Sequence, residues 1–211
     1  MNKDKKIFLS FLKNHNFSTK TIEIFENYEK ILKEWNKKIN LISKKSAKKI
    51  WTRHFLDSVL ITKHLDFSNS TVIDLGSGGG LPGLPIKFLY PPLQLYLIES
   101  RRNKTLFLKY LIEKLDLTGC HVLRKRFENV NEIPNYSCNH VLVRAVKMKK
   151  NYINKAFHLL REEGKIVIYR SLEQTDNILD ESTVDFEYDK TVIKNSELNY
   201  GAYKFLIIGK N

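Results

Sequence analysis

The stretch TVIDLGSGGGLPG, Thr71 to Gly83, decides how the rest of the chain is read. β-Favouring and apolar residues run into an acid, Asp74, and then into Gly76, Gly78, Gly79, Gly80 and Gly83, with Pro82 inside the last turn. That order reads as a buried strand, a tight loop and the start of a helix. Glycines at this spacing let the backbone enter φ > 0 and let a ligand lie against main-chain N–H groups. The positive end of the following helix dipole reinforces them. A bare turn has no need of so many glycines, so the loop reads as the cradle of a small ligand.

Two registers of these glycines are open. Gly78, Gly80 and Gly83 satisfy G-x-G-x-x-G, a dinucleotide spacing that also arises by chance. Asp74, Gly76, Gly78 and Gly80 satisfy acid-x-G-x-G-x-G, which resembles the S-adenosylmethionine loop of class I methyltransferases. The acid separates the two, because a carboxylate at the mouth of the loop repels a pyrophosphate and suits the ammonium and sulfonium of S-adenosylmethionine. A second acid, Glu99, closes the next apolar run, QLYLIE, 23 positions after Gly76. At that distance a second-strand carboxylate meets ribose hydroxyls. Both cofactor classes carry a ribose, so Glu99 supports a nucleoside without choosing between them.

With 211 residues, 42% of them hydrophobic, the chain has material for one domain with a real core, or for one domain with a modest extension. No apolar run approaches the roughly 20 residues of a membrane span, and MNKDKK leads into an amphipathic pattern without a cleavage-site signature. The expectation is a soluble cytoplasmic protein. Cys120 and Cys138 form no C-x-x-C and the six histidines show no ligand spacing, so no disulfide framework and no metal are expected. A formal charge of +13 points to a polyanion. Genome base composition accounts for part of that charge in so Lys-, Asn- and Ile-rich a chain. Even so, KKINLISKKSAKK (37–49), LRKRF (123–127) and VKMKK (146–150) concentrate it beside the proposed site.

From about Lys5 to Lys38 apolar residues recur at three and four, which predicts amphipathic helices with Ser18 or Thr19 capping the second. A third helical pattern follows Ser46, through Ile50, Trp51, His54, Phe55, Ser58, Val59 and Thr62. On it Arg53 and Asp57, and likewise His54 and Ser58, stand four apart, the spacing of an i,i+4 pair. Residues 1–66 therefore read as an N-terminal helical extension or lid, and 67–211 as the core it packs on. Past the glycine loop strands and helices alternate. QLYLIE leads to a helix from about Asn103 to Leu115, then come the strands HVLRK and HVLVRA. A helix near Met148 to Leu160 is ended by Gly164, followed by the strand KIVIY and a helical segment from Ser171 to Glu181. Two final strands, about Val184 to Ile193 and Ala202 to Ile208, are joined across Asn199-Tyr200-Gly201. The predicted fold is α/β, a Rossmann-like, mostly parallel seven-stranded sheet covered on both faces, with a hairpin at one edge. Ligands bind such sheets at the strands' carboxyl ends, which gathers Asp74, Glu99, Arg126 to Glu128 and Arg144 on one rim.

NLIS (40–43), RHFLDS (53–58), DLGSGGGLPGLP (74–85), Glu99-Ser100, Lys104 with Phe107-Leu108, R-x-E (126–128) and Arg144-Ala145 follow one another in order. Together they resemble the glucose-inhibited-division-protein-B family, bacterial enzymes that methylate guanosine N7 in 16S, small-subunit ribosomal RNA. The resemblance runs from about Tyr28 to Ala145. It implies a class I methyltransferase fold with S-adenosyl-L-methionine as cofactor. Gly76 and Leu81 would line the methionine side, Glu99 would hold ribose, Phe127 and Glu128 adenine, and Arg144 would sit beside the transferred methyl. Asn40, His54, Lys104 and Arg126 would face RNA or the methyl-transfer site, with Arg53 and Lys147 on the RNA side. The chain departs from the family at Val146-Lys147 (usually RAF or RAFA from 144), at Arg170-Ser171 (usually Lys-Gly), and at Tyr203 or Lys204, where an arginine is expected.

The implied partner is 16S rRNA within the small subunit or an assembly intermediate, met by a monomer. Guanine N7 has an in-plane lone pair and no proton to lose, so its methylation needs no general base. Three rivals share the sheet: a nicotinamide-dependent oxidoreductase, a non-catalytic RNA-binding or ribosome-assembly module, and a methyltransferase of proteins or small molecules. If the basic blocks contact phosphates, RNA affinity measured between about 50 and 200 mM salt falls steeply, whereas a flat profile removes them from the binding surface.

Overall fold

The computed structural model describes residues 2–173, 188–195 and 203–210. Among them seven strands form one sheet in the order β3-β2-β1-β4-β5-β7-β6. They are β1 (Thr71–Leu75), β2 (Gln94–Ile98), β3 (Cys120–Leu123), β4 (Cys138–Arg144), β5 (Leu160–Arg170), β6 (Tyr188–Asn195) and β7 (Tyr203–Lys210). The first five run parallel, while β7 is antiparallel to β5 and to the edge strand β6. This is the Rossmann-like α/β sheet with its terminal hairpin that the alternating pattern predicts.

Side chains of period two divide the interior into two layers. Val72, Leu95, Leu97, Leu142 and Val167 face one layer, and Ile73, Leu75, Ile98, Val141, Val143, Ile166 and Ile168 face the other. The first layer is covered by α1 (Lys3–Asn14), α2 (Ile22–Asn36), α5 (Gly83–Leu89) and α6 (Arg102–Lys114). The second is covered by α7 (Lys150–Leu159), through Ile153 and Phe157. Between α2 and β1 lie two short helices, α3 (Lys44–Ala47) and α4 (Asp57–Val59). Phe8, Phe25, Tyr28 and Phe55 are fully buried, with Trp51 nearly so. Their rings meet one another and Phe88 of α5, at 4.7 Å for Phe8–Phe25 and 5.0 Å for Phe25–Phe88. The N-terminal segment thus shares one core with the sheet. Its second piece opens with Ser18, whose hydroxyl caps the Lys20 amide.

Two expectations change. The regular third helix is replaced by a π-helical turn, Trp51–Leu56, followed by the single turn of α4 and a 3₁₀ turn, Leu60–Lys63. Gly164 does not end α7, which stops at Leu159. It lies inside β5, where Cys138 pairs with Leu160 but His140 with Lys165, so the exposed residues 161–163 bulge out of the ladder and Glu163 takes φ +63°. The helix expected over Ser171 to Glu181 falls, beyond Glu173, outside the described residues, as does the turn at Asn199-Tyr200-Gly201.

On β4, His140 is buried against Phe67, and its Nε2–H donates to the Asp66 carbonyl at 3.2 Å while Nδ1 has no partner. Burial pushes this imidazole down to about 4. The folded state therefore holds it neutral where the unfolded chain protonates it near 6.5, and its stabilisation is present above that pH and lost as pH falls toward 4. Urea unfolding of wild type and His140→Leu at pH 7 and pH 5 checks this. The variant's stability should fall less with acid, by up to about 1.4 kcal/mol per pH unit; equal pH dependence overturns it.

Candidate active site

The loop after β1 is bound from below, from beside and from above. Below it, Asp74 is fully buried, with Oδ2 accepting the Gly83 amide at 3.0 Å at the start of α5. A Cβ on Gly83 would stand 2.8 Å from that oxygen, so only glycine admits the approach. Burial, partly opposed by the Gly83 amide and Arg144, lifts the Asp74 carboxyl to about 7. The sequence reading put this acid at the loop's mouth; it lies instead underneath, with Oδ1 unpaired. Beside the loop, the Ile98 carbonyl at the end of β2 accepts the amides of Gly76 (2.9 Å) and Ser77 (3.1 Å). Glu99, 7% exposed, takes the Gly78 amide on Oε2 (3.2 Å) and the Arg101 amide on Oε1 (2.8 Å). Above, the buried Tyr28 hydroxyl of α2 donates to the Gly79 carbonyl.

Gly76 has φ +76°, and a Cβ there would lie 2.4 Å from Val146 Cγ2, so the segment after β4 closes directly over the loop. At Gly78 (φ +54°) the same position meets only ordinary contacts, the Gly76 carbonyl and Lys104 Nζ, both at 3.7 Å. These residues fit S-adenosylmethionine. Glu99, beside Gly78, is placed to accept from ribose hydroxyls, and the unpaired Asp74 oxygen sets a polar atom under the loop. Leu81, 8% exposed, borders the loop.

On the N-terminal side, Arg144 at the end of β4 is the hub. Its Nη2 meets Asp57 Oδ2 at 2.7 Å and the Arg53 carbonyl at 2.8 Å, and its Nη1 meets Ser58 Oγ at 3.4 Å. The i,i+4 spacing paired Arg53 with Asp57; the structure pairs Asp57 with Arg144, and the Arg53 side chain is exposed. His54 is 8% exposed with both ring nitrogens buried and unpartnered. Burial first, and then Arg144 and Arg53, push it down to about 4, so its imidazole is neutral at neutral pH and offers one donor and one acceptor. Asn40 is exposed on a loop that Asn36 pins: Asn36 Oδ1 accepts the amides of Leu41 (2.9 Å) and Ile42 (3.0 Å), and Nδ2 donates to the Ile42 carbonyl. That brings Leu41 against Gly79.

Across the sheet, Phe127 is 1% exposed with its ring packed edge-on against Tyr152 at 5.7 Å, so its backbone rather than its ring is left to a ligand. Glu128 is exposed, and its own amide and the Tyr152 hydroxyl hold its carboxyl below the usual range. Arg126 and Lys147 are exposed, flanking the rim. Sequence reasoning missed Tyr28, Asn36 and Tyr169. Tyr28 and Tyr169 sat in apolar patterns that read only as core, and Asn36 carried the one usable signal, an amide in the last turn of a helix leading into a loop.

The pattern of the GidB family, described as rRNA small subunit methyltransferase G, matches residues 21–198. The chain belongs to this family. The ribosomal RNA small subunit methyltransferase G of Mycoplasma capricolum subsp. capricolum is 31% identical over 192 residues, covering 91% of this chain and 82% of that protein. The protein of the same name from Streptococcus pneumoniae serotype 19F is 31% identical over 181 residues, covering 83% and 76%. In fold, the chain is similar to a SAM-dependent methyltransferase from Aquifex aeolicus (TM-score 0.58, 14% identity, 84% of this chain and 97% of that one). It is also similar to TYW2 from M. jannaschii, solved in complex with AdoMet (TM-score 0.54, 17% identity, 82% and 78%).

Among its departures from the GidB-family pattern, Val146 packs on Gly76, and Tyr203 is buried with its hydroxyl 3.3 Å from His64 Nε2. Arg170 pairs in register with the buried Lys204. If Glu99 is the ribose acceptor, removing its carboxylate weakens cofactor binding. Calorimetric titration of Glu99→Ala with S-adenosylmethionine should show affinity at least about tenfold weaker, roughly 1.4 kcal/mol; unchanged affinity removes Glu99 from the cofactor site.

Proposed function

We propose that this GidB-family chain transfers the methyl group of S-adenosylmethionine to N7 of a specific guanosine in 16S ribosomal RNA. It acts as a cytoplasmic monomer on the small subunit or an assembly intermediate. The observation that carries this reading is a glycine loop clasped by Glu99 in a chain matching the family over residues 21–198. No helix among the described residues is long and apolar enough to cross a membrane, and the charge of +13 suits an RNA partner.

S-adenosylmethionine, when bound, supplies an electrophilic methyl on a sulfonium. The loop surface at Gly76, Gly78 and Gly80, with Leu81, would border its methionine end, Glu99 would hold its ribose, and the Phe127 backbone and Glu128 its adenine, while Asp74 fixes the loop from beneath. Residues 1–66 form the acceptor wall, carrying Asn40, Arg53 and His54. Guanine N7 attacks with its own lone pair, so no residue removes a proton. A neutral His54 adds no repulsion as positive charge passes from sulfur to the base. Arg144, already neutralised by Asp57, positions O6 or a phosphate rather than answering the new charge. Lys104, Arg126 and Lys147 hold the RNA backbone. Alignment of nucleophile, methyl and leaving sulfur supplies at most about 7–11 kcal/mol.

The test is incubation with methyl-labelled S-adenosylmethionine and small subunits from cells lacking this gene, followed by cleavage specific for 7-methylguanosine. Label at one guanosine is expected. No label despite measurable cofactor binding overturns the reading in favour of another acceptor or of an RNA-binding module that keeps the fold.

A further inference from the structure

Arg144 and Tyr169 stand directly opposite each other on β4 and β5, and both reach the same turn of the N-terminal segment. The Tyr169 hydroxyl donates to the Ser58 carbonyl at 2.8 Å, and the Ser58 hydroxyl donates to the His54 carbonyl at 2.6 Å while lying 3.4 Å from Arg144 Nη1. The turn itself is unwound to suit. In an α-helix the Asp57 amide would donate to the Arg53 carbonyl, four residues back. Here it reaches the carbonyls of Thr52 and His54, and the Arg53 carbonyl accepts Arg144 Nη2 at 2.8 Å. The same nitrogen meets Asp57 Oδ2 at 2.7 Å. A π turn of this kind departs from the ordinary helical ladder and is frequent at functional sites.

We infer that Asp57 and Tyr169 are positioning residues, which fix the Arg144 guanidinium and the turn bearing Arg53 and His54 as one unit on the acceptor side of the site. Among the described residues neither hydrogen-bonds to the glycine loop or to Glu99. Asp57 sets the direction of the guanidinium fork and neutralises it beside Arg53. Tyr169 ties the turn to the sheet from the neighbouring strand, so the position of His54 follows β5. The inference rests on the methyl-transfer reading and deepens it, assigning both residues to placement of the RNA base and not to cofactor binding.

The experiment is steady-state methylation of small subunits by wild type, Asp57→Asn, Tyr169→Phe and the double variant, with S-adenosylmethionine affinity and thermal midpoint measured on each. Misplacement of the acceptor should lower kcat by roughly 10- to 100-fold in Asp57→Asn, less in Tyr169→Phe, with cofactor affinity within about twofold of wild type. Because both act through Arg144 and one turn, the double variant should lose less than the product of the single losses. Asp57→Glu, which keeps the charge, should recover part of the rate. Wild-type kcat in both single variants overturns the inference and leaves the methyl-transfer reading standing. So do losses that track a lowered midpoint and weakened cofactor binding, since a purely structural clasp would give those. A wild-type protein that labels no guanosine overturns both. Should Asp57→Asn fail to fold, Tyr169→Phe, which deletes one hydroxyl, decides alone.

Discussion

A carboxylate buried beneath a backbone loop needs a donor, and Asp74 finds one in the amide of Gly83. That bond fixes where α5 starts relative to the end of β1, and the close approach it requires leaves no room for a side chain at position 83. Everything between is then an arc of set length, tied sideways to β2 through the Ile98 carbonyl and Glu99 and roofed by the Tyr28 hydroxyl. A loop held from three directions, with the amides of Gly76, Ser77, Gly78 and Gly80 given to its own supports, keeps one backbone arrangement before any ligand arrives, which spares binding the cost of ordering it.

The N-terminal segment is a wall of that site. Its aromatic cluster is continuous with the layer that covers the sheet, and Leu32 and Leu41 come within contact of the space over Gly79. Because Arg144 reaches out of β4 into the Trp51–Leu56 turn, the polar residues of that turn are referred to the sheet and not to their own helix axis. A guanidinium in so enclosed a place needs a counter-charge, and Asp57 supplies it.

Charge is layered. Inside, the acids Asp74 and Glu99 lie under and beside the loop, and the buried imidazoles of His54 and His140 are held neutral, since a low-dielectric interior penalises the ionised form. Outside, Arg53, Arg126, Lys147 and most of the lysines of residues 37–49 are exposed. The inner acids suit a cationic sulfonium cofactor and the outer bases a polyanion.

Much of this was legible in the residues themselves. The period-two apolar runs, the glycine spacing and the acid closing QLYLIE sufficed for the alternation of strands and helices up to β5 and for the loop, because those features are set by interactions a few residues long and by steric rules of the backbone. Tertiary structure decided the rest. Whether Asp74 lies at the mouth of the loop or under it depends on where α5 packs. Whether Asp57 answers Arg53 or Arg144 depends on a contact 87 positions away along the chain (144 minus 57). The roles of Tyr28 and Tyr169 rest on hydrogen bonds spanning 51 and 111 positions. Helical spacing counts neighbours at three and four residues and assumes an unbroken ladder. The π turn at Trp51–Leu56 breaks that assumption, for the physical reason that a distant arginine offers one of its carbonyls a charged partner.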